Sequence, residues 1–350
     1  MVIHYLFELA IRVGVIYVGI GAGILLQRWS KADQVGKWIL FVGLNIFTPL
    51  LLILVFLNIE TFTDVNWWLI ASMALLGLIV PMILNRLLIK REEISIAKKK
   101  ASMGDEEDST EKISMAQKGA ELTSSGFMNA LFFPFPIIIG ILPDHLQAEG
   151  LLAASLYLLA QTILRNSLGV YMGIHYGTNS IPGSKRSVFK ILRGLILFPP
   201  TIGMIIGLIL RFTTGFVDTS TNVNNSINVA ADIFRDATMV LMLIIVGLSF
   251  RFPKKEEWKE KVLIRGVFSR FGGGLLSIVP IFFIPIPLVA KIPLIIQTMA
   301  PPAVANSAYA KYFQLDELLT SRFIAILTII ALIFLPAEIV LLVWFGSPIL

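Results

Sequence analysis

The sequence predicts an all-α polytopic membrane protein with about ten spanning helices. Three observations predict it. The 350 residues are 56% hydrophobic and 15% charged, with a mean hydropathy of +0.81, and a soluble chain of this size carries far more charge. The apolar residues fall in runs of roughly twenty, the length of helix that crosses the hydrocarbon core of a bilayer. The runs are continuous rather than alternating. That selects helices over a closed barrel, the other structure that pairs every backbone group in lipid.

Span 1 covers 6–26 and contains Gly19 and Gly23, a spacing of small residues that lets helices approach closely. It opens with Glu8 and Arg12, four apart and placed to pair, and lacks a basic leader, so no cleavable signal is expected. Spans 2 and 3 cover 38–57 and 66–86. Span 4, over 121–142, holds Asn129, Pro134 and Pro136. Spans 5, 6 and 7 cover 149–171, 190–211 and 228–250, and span 6 repeats the small-residue spacing with Gly203 and Gly207. Spans 8, 9 and 10 cover 262–284, 288–310 and 321–345, and span 9 holds Pro301, Pro302 and Asn306.

The connections alternate in charge. Those at 27–37 (Arg28, Lys31, Lys37), 87–120 (Lys90, Arg91, Lys98, Lys99, Lys100), 172–189 (Lys185, Arg186) and 251–261 (RFPKKEEWKEK) are basic, and 311–320 weakly so. The intervening ones, such as NIETFTDVN and LPDHLQAEG, are not. Basic loops lie in the cytoplasm, so both termini are expected outside it, in a plasma-membrane protein. The net charge of +6 is explained by these helix ends and does not point to nucleic acid. The long connection at 87–120, with blocks of both signs and few apolar residues, reads as flexible or as a surface helix, a solvated segment in either case.

Ten spans with both ends on one side divide into two units of five, 1–171 and 172–350. Five is odd, so the second unit is inserted upside down, a recurring plan of secondary transporters. The proline-bearing spans 4 and 9 fall at corresponding positions of the two units. Proline removes an N–H and clashes with the preceding turn, and in lipid such a break is tolerated only inside protein or beside water. Two crossing breaks would bring four half-helix ends together, N-termini suited to anions and C-termini to cations. Asn129, at the first break, both donates and accepts.

Ionisable residues within the spans are mostly placed near their ends. Asp232, Arg235 and Asp236 form a cluster, while Arg265, Arg270 and Lys291 are expected to snorkel. Glu338 is deeper and is the candidate proton carrier. Arg165 and Asn166, toward the inner end of span 5, are candidates for steering anions. His4, His145 and His175 lie in or beside loops, and there is no cysteine, which excludes thiolate metal sites and disulfides. No HExxH, paired intramembrane aspartates or Ser/His pair occurs within the spans, so an enzyme is not expected.

Several stretches resemble the auxin efflux carrier family, which includes plant PIN-type carriers and malate and malonate permease-like proteins: FVGLNIFTPLLLILVFLN in span 2, NALFFPFP in span 4, LLAQTILRN in span 5, LFPPTIGMIIGLIL in span 6, ATMVLMLIIVGLSF in span 7 and TMAPPAVANSAYAKYF in span 9. The likeness runs in order along nearly the whole chain. It implies the architecture of bile-acid and sodium/proton transporters, with spans 4 and 9 unwound and crossing. Spans 1, 2, 6 and 7 would form a scaffold domain and the others a transport domain. The activity implied is elevator-type transport of a small carboxylate, with no cofactor and with coupling to protons or sodium left open. Asn129 would bind the carboxylate, with Gln161, Asn306 and Asn45 as further substrate-binding amides. Pro134, Pro136, Pro301 and Pro302 would hold the crossover. Related folds often dimerise through the scaffold. Pro134 stands where the family has glycine, Asn306 where plant-type members have a second proline, and span 3 lacks a central acid. A channel, which lacks support from any repeated filter motif, and a sensor built on a transporter fold are the alternatives.

Overall fold

The structure, a computed structural model, describes residues 2–57, 66–103, 113–177, 193, 197–214, 222–250, 253 and 257–346. Within these helices the side chains of 2–9, 33, 99–103, 214, 222–228, 259, 308 and 340–346 are not described. The elements are helices throughout, with no strand among the described residues. In order they are α1 (Val2–Leu26), α2 (Ala32–Val42), a π-helical turn (Gly43–Phe47), α3 (Thr48–Leu57), α4 (Trp67–Met103), α5 (Met115–Gly126), α6 (Pro134–Ile141) and α7 (Asp144–Tyr176). Then come α8 (Pro199–Thr214), α9 (Asn222–Leu248), a short 3₁₀ turn (Glu257–Lys259), α10 (Lys261–Val267), a second π-helical turn (Phe268–Gly272), α11 (Gly273–Phe283), α12 (Leu288–Met299), α13 (Ala305–Phe313) and α14 (Glu317–Gly346).

Four stretches are long and apolar enough to cross a membrane: Gln34–Leu57, Trp67–Lys98, Lys261–Phe283 and Glu317–Ile339. Ala10–Leu26, Pro199–Thr213 and Leu288–Met299 are shorter apolar helices. The outer surface agrees with a membrane-embedded chain. Phe283, Phe212 and Val18 are 82%, 75% and 72% exposed, which water would penalise and lipid favours. Trp29, Trp38, Trp67 and Trp68 are exposed near helix ends, where an interfacial aromatic belt is expected.

Packing divides the helices into two groups. In one, α1 lies on α9 and α3 on α8. The close approach follows from glycine. A Cβ on Gly23 would lie 2.8 Å from the Gly247 Cα, and one on Gly203 would lie 2.6 Å from the Pro49 Cα. The two small-residue spacings therefore do act as contact faces, as their sequence suggested. In the other group, α4 packs on α5, α7 and α11, α12 on α7, and α14 on α5. Helix α6 touches both groups, meeting α1 and α9 as well as α7 and α12.

Of the two readings of the 87–120 connection, a flexible segment or a surface helix, the described residues follow the helix. Helix α4 continues to Met103, and α5 starts at Met115, capped by the Ser114 hydroxyl, which accepts from the Gln117 N–H at 3.1 Å. Burial of partners explains the order: Glu92 pairs with Arg265, and Glu93 with Lys118. Residues 104–112, Lys185 and Arg186 lie outside the described residues, as do the side chains of His4, Glu8, Lys99 and Lys100. The expected Glu8–Arg12 pair is therefore not described, and Arg12 donates to the Leu142 carbonyl at 3.2 Å. Arg235 does pair with Asp232 (2.9 Å) and Asp236 (3.3 Å).

Candidate functional site

Both proline-bearing spans are broken, and the breaks touch. Residues 127–133 separate α5 from α6, and 300–304 separate α12 from α13. Met128 and Pro302 form an isolated antiparallel bridge. The Asn129 N–H donates to the Pro301 carbonyl at 2.7 Å, and the Ala303 N–H to the Phe127 carbonyl at 2.9 Å. These two bonds flank the Met128–Pro302 pair, so neither residue of that pair has to donate to the other. This is the one place in an antiparallel pairing where proline costs no ladder bond.

Pro134 and Pro136 have a different role from the one expected. They lie in the first turn of α6, where N–H groups lack intrahelical partners anyway and the fixed φ favours initiation. They start the second half-helix rather than interrupt a continuous one. The unwound segment is set N-terminal to them. There the Asn129 Oδ1 accepts from the Phe132 N–H at 3.0 Å, a local turn that competes with helix.

The break borders a cavity of about 740 Å³. Asn129, Gln161 and Arg165 line it, together with Lys37, Gln27 and apolar groups such as Phe132 and Leu158. The Asn129 side-chain nitrogen makes no hydrogen bond among the described residues, so it is available to a ligand. Gln161 donates to the Met128 carbonyl at 3.0 Å, while its buried Oε1 has no partner among the described residues. Arg165 interacts with the Tyr309 hydroxyl, and its buried Nε has no hydrogen bond among the described residues. Tyr309 in turn donates to the Asn166 Oδ1. Among the described lining residues, Lys37 and Arg165 are the ionisable side chains and none is a carboxylate. The residues leading into α6 (Leu131, Phe132, Phe133) and the start of α13 (Val304, Ala305) also line it. Two half-helix N-termini, each partially positive, therefore border the cavity.

Asn306 and Asn45 do not belong to it. Asn306 is fully buried and donates to the Thr123 (3.3 Å) and Phe127 (2.9 Å) carbonyls. It reinforces the end of α5, adding a second donor to carbonyls that already accept from the Phe127 and Ala303 N–H groups. Asn45 lies exposed on the π-helical turn and returns its amide to the Phe41 carbonyl at 2.8 Å. Glu338 is also away from the described cavity wall, with a buried Oε1 that has no partner among the described residues.

The crossing holds groups that sequence reasoning placed elsewhere. Arg270 does not snorkel. It is fully buried on the second π-helical turn, with its guanidinium among the ends of α5 and α12. Arg265 is likewise buried and is held by Glu121 through bonds of 2.8 and 2.6 Å, besides Glu92. Gln297 donates to the Ala130 (2.9 Å) and Ala154 (3.0 Å) carbonyls and so fixes the other side of the break. A signal for Arg270 does exist in the sequence. It is the ninth residue of the 262–284 run, roughly 13 Å along a helix from its start, too deep for an end-of-helix residue.

No protein-family model matches the chain, and no curated protein matches it significantly.

Proposed function

We propose that this protein is a secondary transporter of small organic anions, of the auxin efflux carrier type, with its substrate site at the crossing of the two broken helices. The observation that carries the reading is the cavity wall. It has two cations, Lys37 and Arg165, two half-helix N-termini and the unengaged amide nitrogen of Asn129, and no carboxylate among the described lining residues. A carboxylate entering it meets positive potential and donors in a largely apolar space, where charge-assisted hydrogen bonds are strong.

The architecture proposed is two inverted five-helix repeats. The packing of α1 on α9 and of α3 on α8, and of α7 on α12 against α5 on α14, supports it, since an inverted repeat exchanges the members of each pair of contacts. The first group of helices would be the scaffold and the second the moving domain, with α6 at their boundary. The cavity reaches Lys37, Ser249 and Phe250, next to the basic connections, so the conformation is read as inward-facing in the plasma membrane with both termini outside.

Reconstitution into proteoliposomes tests the proposal. Uptake of a carboxylate should saturate, and Asn129→Ala and Arg165→Gln should each raise KM by on the order of tenfold, the loss of about 1.4 kcal/mol. Current that never saturates with substrate would replace the transporter with a channel. Ligand-dependent stabilisation without flux would replace it with a sensor.

A further inference from the structure

Arg270 is a buried cation with no acidic side chain among its partners in the described residues. Its Nε donates to the Ala300 carbonyl at 2.9 Å, its Nη1 to Ser125 (3.1 Å) and Gly77 (3.3 Å), and its Nη2 to Thr298 and to the Met128 sulfur at 3.5 Å. A buried charge must be compensated, and each of these carbonyls is there for a reason. Ser125 lies in the last turn of α5, Thr298 in the last turn of α12, and Ala300 just beyond it. Such carbonyls lack helical donors and carry the negative end of the helix dipole. Gly77 lies four residues before Pro81, inside α4. Proline has no N–H to return to that carbonyl, so it too is free to accept. The wall beyond is completed by the Tyr157 hydroxyl, 3.0 Å from the Thr298 Oγ1.

Half-helix C-termini at the middle of a membrane transporter are where unwound carbonyls coordinate a transported cation. Here those acceptors are already engaged by a covalently attached cation. We propose that the Arg270 guanidinium is a resident cation at the negative ends of the two broken helices, so that anion movement through the crossing requires no sodium ion. The inference deepens the transporter reading and rests on it for the word "movement". The occupancy of the cation position is a separate matter, and it can be measured on the protein alone.

The experiment therefore has two arms. In the first, carboxylate uptake by the wild-type protein is compared in sodium, potassium and choline chloride at one membrane potential. Rates should agree within about twofold, and a saturable stimulation by sodium of about tenfold would overturn the proposal, since that is the effect of a bound coupling ion. In the second, melting of the detergent-solubilised wild-type protein is followed in the same salts. No sodium-specific upward shift is expected, and a saturable one overturns the proposal even if no flux is ever found. Arg270→Ala, where it folds, should regain melting temperature in millimolar guanidinium while Arg270→Lys and the wild type do not respond. A folded Arg270→Ala protein indifferent to every added cation would show that the position needs no charge and would sink the idea.

Discussion

Single amides at the crossing divide by what their two polar atoms meet. Asn129 spends its oxygen on the Phe132 N–H and leaves its nitrogen on the cavity wall. Asn306 spends its nitrogen on two carbonyls at the end of α5 and is fully buried. Substitution should separate them. Asn306→Leu leaves Thr123 and Phe127 without that donor, so stability should fall by about 1–3 kcal/mol. Thermal unfolding would register this as a drop of several degrees, with KM unchanged in the protein that remains folded. Asn129→Ala should do the reverse. Asn45→Leu should change neither by more than about 0.5 kcal/mol, because an exposed side chain bonded to its own turn carries little. Equal melting losses for Asn306→Leu and Asn45→Leu would contradict this division.

At the scale of elements, glycine decides which helices lie together. The backbones of α1 and α9 meet at Gly23 and Gly247, where either Cβ would intrude within 2.8 Å of the other Cα. Gly23→Leu should force the pair apart and strongly reduce the yield of monodisperse protein, a loss of at least about 1–3 kcal/mol from overpacking. Gly21→Ala, on the same helix with nothing within 4 Å of a Cβ, should leave size-exclusion profile and melting temperature as they are. A Gly23→Leu protein with unchanged behaviour would mean that α1 and α9 do not pack through this face. Gly77 serves the crossing in the same way: a Cβ there would stand 2.5 Å from the Tyr157 hydroxyl.

For the whole molecule, the prediction concerns which end of the bundle is open. The large cavity reaches Gln27, Lys37 and Phe250, whereas a smaller polar pocket lined by Arg12, Asp144, Gln147 and Asp236 lies against the other end of α6. The chain has no cysteine, so single cysteines report cleanly. Val304→Cys, on the cavity wall and 40% exposed, should react with a membrane-impermeant thiol reagent added from the cytoplasmic side, and a bound carboxylate should protect it. Val15→Cys, in the small pocket, should react from the opposite side. Labelling of both from one side would reverse or abolish the proposed orientation.

The residues themselves determined that this is a helical membrane protein, because composition and run length leave lipid no other partner. They also determined where spans 4 and 9 break, because proline and asparagine act on their own local backbone. Which polar groups serve those breaks was decided only in three dimensions. The half-helix ends orphan carbonyls whatever their surroundings, and the donors that reach them come from distant parts of the chain: Arg270 from the second π-helical turn, Asn306 from α13, Gln161 from α7. Asn45 and Asn306 look like equal candidates along the sequence. One turned outward and the other into a helix end, because the carbonyl within its reach belonged to a neighbour in one case and to a crossing stretch of chain in the other.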